Sequence, residues 1–369
     1  MSCRWRLAVL TLLAWGGARG TAAQAAPIRA TNVVLVTLDG LRWQEVFAGA
    51  EALLLFDTTV TPAQDARVRY WEATPEERRE LLMPFLWQVM GREGQIFGNR
   101  LAGGGMRVTN GRKFSYPGYQ ELLAGYPDRR ITSNEKRPNA NVTVLEWLQT
   151  RPGLADRVAA FGTWDVLPFI LDEPRSKIPV NAGWEPLDLS HPTPVQAVLN
   201  SLMATLPREW EEERYDGLTY YAAREYLLAV RPGVLYIALG ETDDWAHAGR
   251  YDRYLDAAHS ADAFLRDLWD TLQQHPRYRG RTALLVTTDH GRGTGRRGWT
   301  RHGANVAGAD WIWAAVLGPD TPARGLRDDV TGATQGQIAA TLAALLGEDW
   351  VAVEPRAAPA LPGVLATGP

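Results

Sequence analysis

Four short segments of the sequence carry side chains that can bind a metal ion. They are Asp39-Gly40, Asp243-x-x-x-His247, Asp289-His290-Gly291 and His302-Gly303. Each segment alone has an ordinary interpretation, because Asp-Gly pairs form turns and Asp-His pairs occur at helix starts or in loops. Together they hold three of the six histidines of the chain. Imidazole nitrogen and carboxylate oxygen are ligands of zinc, so the set predicts a catalytic divalent-metal site.

The spacing within these segments favours a shared site. Asp243 and His247 lie four residues apart and share one face if they form a helical turn. Asp289 and His290 are adjacent, and both can reach one ion where the backbone turns at a strand end. We interpret the other three histidines as structural: His191, His259 and His275.

Ser115 is a candidate nucleophile. It lies in Phe114-Ser115-Tyr116-Pro117, just before an apolar stretch that predicts a helix. A serine at this place can be a plain N-cap. The functional interpretation uses the same geometry, because a helix N-terminus presents free N–H groups and partial positive charge to a serine oxygen and a bound phosphate. Thr109 is a second hydroxyl candidate, but no helix start follows it.

Alternating β-branched runs and longer amphipathic segments predict the elements that position these side chains. The predicted strands are Asn32–Leu38, Arg157–Phe161, Val234–Leu239, Thr282–Thr288 and Trp311–Leu317. The first, third and fourth are almost entirely apolar, which is typical of strands buried on both faces. A long helix is predicted to end near His275, and others cover 83–92, 142–150, 194–206, 218–230 and 335–346. The pattern predicts a three-layer α/β/α fold with a mostly parallel central sheet, whose strands end near the metal-binding segments.

Residues 1–26 have the character of an export signal, with Arg4 and Arg6 before an apolar run and small residues at 23–26. An N-terminal membrane anchor is the alternative, but the apolar run is well short of the ~20 residues of a span. We therefore expect an exported protein, periplasmic or secreted, with no membrane span after signal removal. The single cysteine, Cys3, lies in this signal, so the mature chain offers no thiolate ligand.

The remaining chain is predicted to form one domain over residues 27–353. Within it, residues 49–80 and 162–192 lack a clear period and are predicted insertions that shape a pocket near the active site. Residues 354–369, rich in alanine and proline, are predicted to form a loose arm. The formal charge of −3 gives no broad positive field, so we expect no nucleic-acid duplex as a partner.

In their order along the chain, the metal-binding segments and Ser115 resemble the motifs of the alkaline phosphatase superfamily, most closely its nucleotide pyrophosphatase/phosphodiesterase-like branch. The resemblance covers about residues 31–347. It also places Asn134 near the family's phosphate-binding asparagine, for which the alternative is an ordinary turn residue. It implies two divalent metal ions, most readily zinc, in two ligand sets: Asp243, His247 and His302; and Asp39, Asp289, His290 and the Ser115 oxygen.

The chain departs from the motifs of this family at several positions. Ser115 and Gly118 stand where the branch usually has Thr and Asn, and Arg292 stands where Met commonly follows Asp-His-Gly. Tyr119 occupies the place of the arginine that a sulfatase needs four residues after its modified residue. This departure argues against formylglycine formation at Ser115, and therefore against a sulfatase.

The resemblance implies a phosphomonoesterase or phosphodiesterase that acts on a small-molecule phosphate ester through a phosphoserine intermediate. The alternatives are a phosphonate or sulfate ester hydrolase with the same fold, and a non-catalytic exported module that binds metal or phosphate. The sequence leaves the monoester or diester preference and the oligomeric state open. Four arginines before His302 either engage an anionic group or form a solvated loop: Arg292, Arg296, Arg297 and Arg301.

Overall fold

The computed structural model describes residues 30–187 and 193–366. The predicted signal peptide, residues 1–26, lies outside this part of the chain. Two sheets of eight and three strands are present in it. The strands are β1 Asn32–Leu38, β2 Gln95–Phe97, β3 Met106–Arg107, β4 Val158–Gly162, β5 Val180–Ala182, β6 Val234–Leu239, β7 Thr282–Thr287, β8 Trp311–Ile312, β9 Ala314–Leu317, β10 Gly325–Leu326 and β11 Ala333–Thr334.

Helices connect these strands and cover the large sheet. A π-helical turn, Leu86–Met90, precedes α5, and a 3-10 turn covers Arg100–Ala102. The α-helices are α1 Trp43–Ala48, α2 Ala52–Leu55, α3 Asp65–Tyr70, α4 Pro75–Leu82, α5 Gly91–Glu93, α6 Ser115–Ala124, α7 Val144–Gln149, α8 Leu167–Ile170, α9 Glu173–Ser176, α10 Pro194–Thr205, α11 Asp216–Val230, α12 Glu241–His247, α13 Tyr251–Gln274, α14 Gly295–Gly298 and α15 Gln337–Leu345.

The large sheet has the strand order β10-β2-β9-β7-β1-β6-β4-β5. Its centre is parallel, because β1 pairs in parallel with both β7 and β6, and β6 with β4. Only β9 runs antiparallel to its neighbours β7 and β2. The predicted mostly parallel sheet is confirmed.

Two hydrophobic cores lie on opposite faces of this sheet. Along β1, Val34 and Val36 face a core built with α11 and α13, whereas Val33 and Leu35 face a core built with α6, α7 and α15. Burial on both faces explains why the central strands are almost purely apolar. The predicted three-layer α/β/α architecture is therefore confirmed.

The predicted strand Trp311–Leu317 is wrong in one respect, because it is broken at Trp313. β8 pairs with β3 in the small sheet, whereas β9 pairs with β7 and β2 in the large sheet. The indole of Trp313 donates to the Leu41 carbonyl at 3.0 Å, and its own carbonyl accepts from the Thr287 hydroxyl at 2.6 Å. These contacts fix Trp313 at the point where the chain leaves one sheet for the other.

The two segments predicted as insertions are folded against the main domain. Residues 49–80 form α2, α3 and most of α4, and Leu54 and Tyr70 belong to the core on the α13 side. The described part of 162–192 forms α8, α9 and β5, which is an edge strand of the large sheet. Residues 188–192 lie outside the described chain.

The prediction of a loose arm after residue 353 is wrong for the residues that are described. Ala357, Leu361 and Val364 are at most 7% exposed and pack into the core built with α6 and α15. Side chains of the main domain hold the backbone, since Gln95 donates to the Gly363 carbonyl at 2.8 Å. Apolar side chains between the prolines therefore secure this segment.

No helix in residues 30–187 and 193–366 combines the length and the apolar character needed to cross a bilayer.

Candidate active site

The predicted site residues follow three neighbouring parallel strands. Asp39 comes directly after β1, α12 with Asp243 and His247 follows β6, and Asp289 and His290 follow β7. The registers align Leu38 with Leu239 and Thr37 with Thr287. The three strands therefore end at one edge of the sheet, where ligands bind in open α/β folds.

One group of side chains surrounds His290. Its Nε2 atom lies 3.4 Å from Asp39 Oδ1, 3.4 Å from Asp289 Oδ2 and 3.4 Å from Ser115 Oγ. Ligand atoms bonded to a tetrahedral zinc at about 2.0–2.1 Å lie about 3.3–3.4 Å from one another. Asp39 Oδ1 and Asp289 Oδ2 are buried and have no hydrogen-bond partner. Buried carboxylate oxygens without a partner are costly, so the arrangement fits a divalent cation.

A second group lies beside the first. Asp243 Oδ2 is 3.0 Å from His247 Nε2 and 3.7 Å from His302 Nε2, and the two Nε2 atoms are 2.8 Å apart. The rings of His302 and His290 stack at 4.1 Å, so the two groups are adjacent. The side chain of His247 is 50% exposed, which leaves this group open to solvent. Metal sites used in catalysis keep such an open side.

Hydrogen bonds orient the inner ligands. His290 Nδ1 lies 3.0 Å from the Gly291 carbonyl oxygen. A carbonyl oxygen can only accept, so Nδ1 carries the proton and the lone pair of Nε2 faces the site. Asp289 Oδ1 accepts from the Gly40 N–H at 3.1 Å, and Asp39 Oδ2 accepts from the Tyr119 hydroxyl at 2.8 Å. In each ligand one atom is bonded to the protein, while the other is free for a metal ion.

The electrostatics of this group also favour a cation. Burial raises the pKa of Asp39 well above its usual value, and the neighbouring Asp289 carboxylate raises it further. Burial also raises the pKa of Asp289 to about 7. It lowers the pKa of His290, which keeps the imidazole neutral. Neutral imidazole and ionised carboxylate are the metal-binding forms, and a bound cation would offset the cost of ionising these buried carboxyl groups.

Ser115 is the first residue of α6, and it is not the N-cap that one interpretation of the sequence expected. The cap position belongs to Phe114, and no side chain caps the helix. The Ser115 hydroxyl is therefore not used in capping, and its Oγ lies 3.4 Å from His290 Nε2. The Thr109 hydroxyl instead donates to Glu121 at 2.7 Å, away from this group.

Asn134 lies at the same helix end. Its Oδ1 accepts from the Tyr116 N–H at 3.0 Å, so its amide lies beside Ser115. Asn134 is exposed, and its Nδ2 makes no hydrogen bond within the described chain. This leaves an N–H donor beside the serine that can bind a phosphate oxygen.

Arg292 was predicted either to engage an anionic group or to lie in a solvated loop. The solvated loop is wrong for this residue, and binding of an anionic substrate group stays a prediction. Arg292 is 1% exposed and contacts the Asp243 carboxylate. It also donates to the carbonyls of Trp299 at 2.8 Å and Thr300 at 2.7 Å. Burial lowers its pKa to about 9, so the guanidinium keeps its charge at neutral pH.

The other loop arginines are on the surface. Arg296 pairs with Asp57 at 3.3 Å. Arg297 and Arg301 are exposed, and their side chains have no partner within the described chain.

Two glycines make room for this packing. Gly40 has φ +60, and a Cβ there would lie 2.4 Å from Asp243 Oδ1. A Cβ on Gly118 would lie 2.4 Å from the Asp289 carbonyl oxygen. The departure from Asn at position 118 therefore accompanies a close approach of α6 to the Asp289 backbone.

The histidines interpreted as structural lie away from these groups where they are described. His259 Nδ1 lies 2.9 Å from the Leu82 carbonyl oxygen, and His275 Nδ1 accepts from the Arg277 N–H at 3.2 Å. His191 is outside the described residues.

The sequence analysis did not predict that Tyr119 supports a metal ligand, although its spacing from Ser115 indicates it. A helix that starts at Ser115 places residue 119 on the same face. Tyr119 is 3% exposed, and its hydroxyl holds Asp39.

Replacing Tyr119 with Phe should weaken metal binding about 10–100-fold, because outer partners of ligands contribute that much to affinity. Competition with a chromophoric chelator measures the affinity. Tyr278→Phe is the matched control, since this buried hydroxyl donates to the Pro232 carbonyl and contacts none of the ligand groups. Equal affinity in Tyr119→Phe and wild type would contradict the assignment.

No protein-family model and no curated protein matches the chain. Solved structures match its fold. Wild-type alkaline phosphatase PafA has a TM-score of 0.57 at 10% identity, covering 93% of this chain and 100% of that chain. The lipoteichoic acid synthase LtaP from Listeria monocytogenes has a TM-score of 0.54 at 12% identity, over 87% and 73%. The phosphonate monoester hydrolase of Agrobacterium radiobacter has a TM-score of 0.53 at 13% identity, over 87% and 74%.

The chain therefore has the fold of the alkaline phosphatase superfamily. At these identities the similarity concerns the fold, and the narrower phosphodiesterase-like branch stays a prediction.

Proposed function

We propose that the protein is an exported hydrolase of phosphate esters that uses Ser115 as nucleophile at a site for two divalent metal ions. One observation carries the proposal. The Ser115 oxygen and two carboxylate oxygens without partners lie at equal distances from His290 Nε2. A hydroxyl among unsatisfied metal ligands is the arrangement that an activated nucleophile requires.

The two ligand groups define where the ions would bind. Asp39, Asp289, His290 and Ser115 would hold one, and Asp243, His247 and His302 the other. The ions, for which we propose zinc because every ligand is imidazole or oxygen, would supply Lewis acidity to the entering and departing oxygens of an in-line displacement.

In the proposed reaction the Ser115 hydroxyl gives its proton to solvent, and its oxygen bonds to phosphorus as the bond from phosphorus to the alcohol oxygen breaks on the opposite side. The departing alkoxide takes a proton from water. Asn134 Nδ2 and the α6 N-terminus stabilise the oxygens of the phosphoryl group. Water then attacks the phosphoserine, releases phosphate and restores the hydroxyl. Two successive displacements retain the configuration at phosphorus.

The charges of the site support binding of an anion. Two divalent ions bring four positive charges, and three aspartates with an ionised Ser115 bring four negative charges. Arg292, which contacts Asp243, adds one positive charge. The loaded site is therefore formally +1, and it attracts a phosphoryl group.

Similar structures suggest the alternative substrates. They include the phosphonate monoester hydrolase and BT1596, a 2-O GAG sulfatase, with 12% identity and a TM-score of 0.54. Tyr119 argues against a sulfatase here, because it stands where a sulfatase needs an arginine. Its hydroxyl is instead bonded to Asp39.

A substrate panel tests the proposal. We expect p-nitrophenyl phosphate or bis-p-nitrophenyl phosphate to be hydrolysed faster than p-nitrophenyl phenylphosphonate and p-nitrophenyl sulfate. A chelator should abolish the activity, and added zinc should restore it. Activity that survives complete metal removal would contradict the proposal, and zinc binding without any turnover would favour a non-catalytic module.

A further inference from the structure

Four basic residues beside the proposed nucleophile have charged groups without partners. Arg112 and Lys113 precede Ser115, and Arg297 and Arg301 precede His302. None of the four side chains makes an ion pair or hydrogen bond within the described chain. We call these four residues the cationic rim.

The two loops that carry the rim lie close together at the site. Lys113 is two residues from Ser115, and Arg301 directly precedes His302. Ser115 Oγ lies 3.4 Å from His290 Nε2, and the His290 ring stacks on the His302 ring at 4.1 Å, so the residues that precede Ser115 and His302 meet at the site. The rim therefore borders the His247 and His302 side of the site, where the alcohol of the substrate departs in the proposed reaction.

Buried groups fix the backbone of the first loop. Glu121 accepts from the Thr109 N–H at 2.9 Å and from the Asn110 N–H at 2.8 Å, and it is fully buried. Asn110 Oδ1 accepts from the Arg112 and Lys113 N–H groups at 2.8 Å each. Lys113 has φ 57, an uncommon conformation for a residue with a side chain.

The second loop is fixed in a similar way. Arg292 donates to the Trp299 and Thr300 carbonyls, and Trp299 is buried against the ring of Tyr251 at 5.2 Å. The Arg301 N–H donates to the Gly298 carbonyl at 2.9 Å. Both loops thus hold their backbones in place, while Arg112, Arg297 and Arg301 are exposed and Lys113 is half-buried.

Nearby carboxylates do not neutralise the rim. Asp57 pairs with Arg296 at 3.3 Å, and Asp310 lies 3.8 Å from Arg107. The chain as a whole has a formal charge of −3, so four positive charges at one border of the site are a local feature. Cations grouped without counter-charges attract an anion, most strongly where fixed loops hold them.

We propose that the cationic rim binds a second phosphate group on the alcohol portion of the substrate, so that the preferred substrates are phosphate monoesters that carry another phosphate. The inference rests on the proposed function, because it assigns a substrate class to the same site. An anionic polymer that binds to the outer surface is the competing explanation, and substrate preference measured together with heparin binding separates the two.

Glucose 6-phosphate and glucose 1,6-bisphosphate are a matched pair for the test, because they differ by the second phosphate. We expect kcat/KM for the bisphosphate to be about tenfold higher at low salt, and this preference should shrink as salt screens the charges. In Lys113→Met/Arg301→Met, kcat/KM for the bisphosphate should fall about tenfold or more. For the monophosphate it should change less than about threefold, since both side chains are outside the ligand groups.

The matched control is Arg277→Met/Arg281→Met. Both arginines are exposed and have no side-chain partner within the described chain, and they precede β7 at the opposite edge of the sheet. The control should keep the bisphosphate preference. A preference that is unchanged in the rim variant would overturn the inference, and so would equal losses for both substrates. Loss of heparin binding with an unchanged preference would identify a polymer-binding surface instead.

Binding to protein with Ser115→Ala separates this inference from the proposed function. Calorimetry of zinc-loaded Ser115→Ala, with and without the two rim substitutions, measures the affinity for each sugar phosphate without turnover. Weaker bisphosphate binding in the rim variant supports the inference even if the wild-type protein hydrolyses no ester. Equal affinities overturn it, whatever the panel of p-nitrophenyl substrates shows.

Discussion

Replacing Ser115 with Ala should lower kcat on the best phosphate ester by about 10⁴-fold or more, because the variant lacks the atom that bonds to phosphorus. Ser115 is 6% exposed, and its Oγ lies 3.4 Å from His290 Nε2, among the proposed metal ligands. Initial rates with p-nitrophenyl phosphate measure the loss. Mass spectrometry of acid-quenched wild-type protein should find phosphate on Ser115.

Ser133→Ala is the control for this substitution. Ser133 lies in the loop next to Asn134, and its oxygen accepts only a long hydrogen bond of 3.4 Å from the Glu135 N–H. Its loss should leave kcat nearly unchanged. Near-normal turnover by Ser115→Ala would refute the covalent mechanism, as would inversion of configuration at a chiral phosphate ester.

The central fold was predictable because its strands carry a strong local signal. β1, β6 and β7 are buried on both faces, and a short, almost entirely apolar run between turn residues is typical of a central parallel strand. The predicted bounds of these strands agree with the structure to within one residue. The long helix was predictable for a related reason, because the apolar spacing along α13 continues to its end at Gln274.

The errors come from contacts that are distant in sequence. The interruption of the predicted strand at Trp313 depends on two sheets, because β8 pairs with β3 in one sheet and β9 pairs with β7 in the other. The segment after residue 353 was expected to be loose from its composition. Leu361 and Val364 belong to the core that is built with α6, α7 and α15, so composition alone could not indicate their burial.

The residues of the site likewise fall into those that the sequence could predict and those that it could not. Ligand types at strand ends can be identified in a sequence, because chemistry and topology both restrict them. The burial of Arg292 could not be identified, because it depends on the Asp243 carboxylate and the carbonyls of Trp299 and Thr300. An arginine in a Gly-rich loop otherwise indicates a solvated surface.

The second large effect is expected for His290, because its Nε2 atom is central to one ligand group and its ring stacks on His302 of the other. It belongs with Asp39 and Asp289 in one set of close ligand atoms and with Asp243 and His302 in another. Substituting an outer partner of a ligand costs about 10–100-fold in metal affinity, so losing a ligand itself should cost more. We expect His290→Ala to lose bound zinc on dialysis and to lose nearly all activity.

Metal content after dialysis and thermal unfolding with and without zinc measure this effect separately from turnover. Zinc at 100 times Kd stabilises the folded protein by about 2.7 kcal/mol, and His290→Ala should lose most of this gain. His259→Ala is the control, because this exposed histidine contacts the Leu82 carbonyl and the Tyr70 ring away from the site. If His290→Ala retained both zinc ions and its zinc-dependent stability, these carboxylates and imidazoles would not form the metal site. In that case Ser115 would also lack the cation that our mechanism requires to activate it.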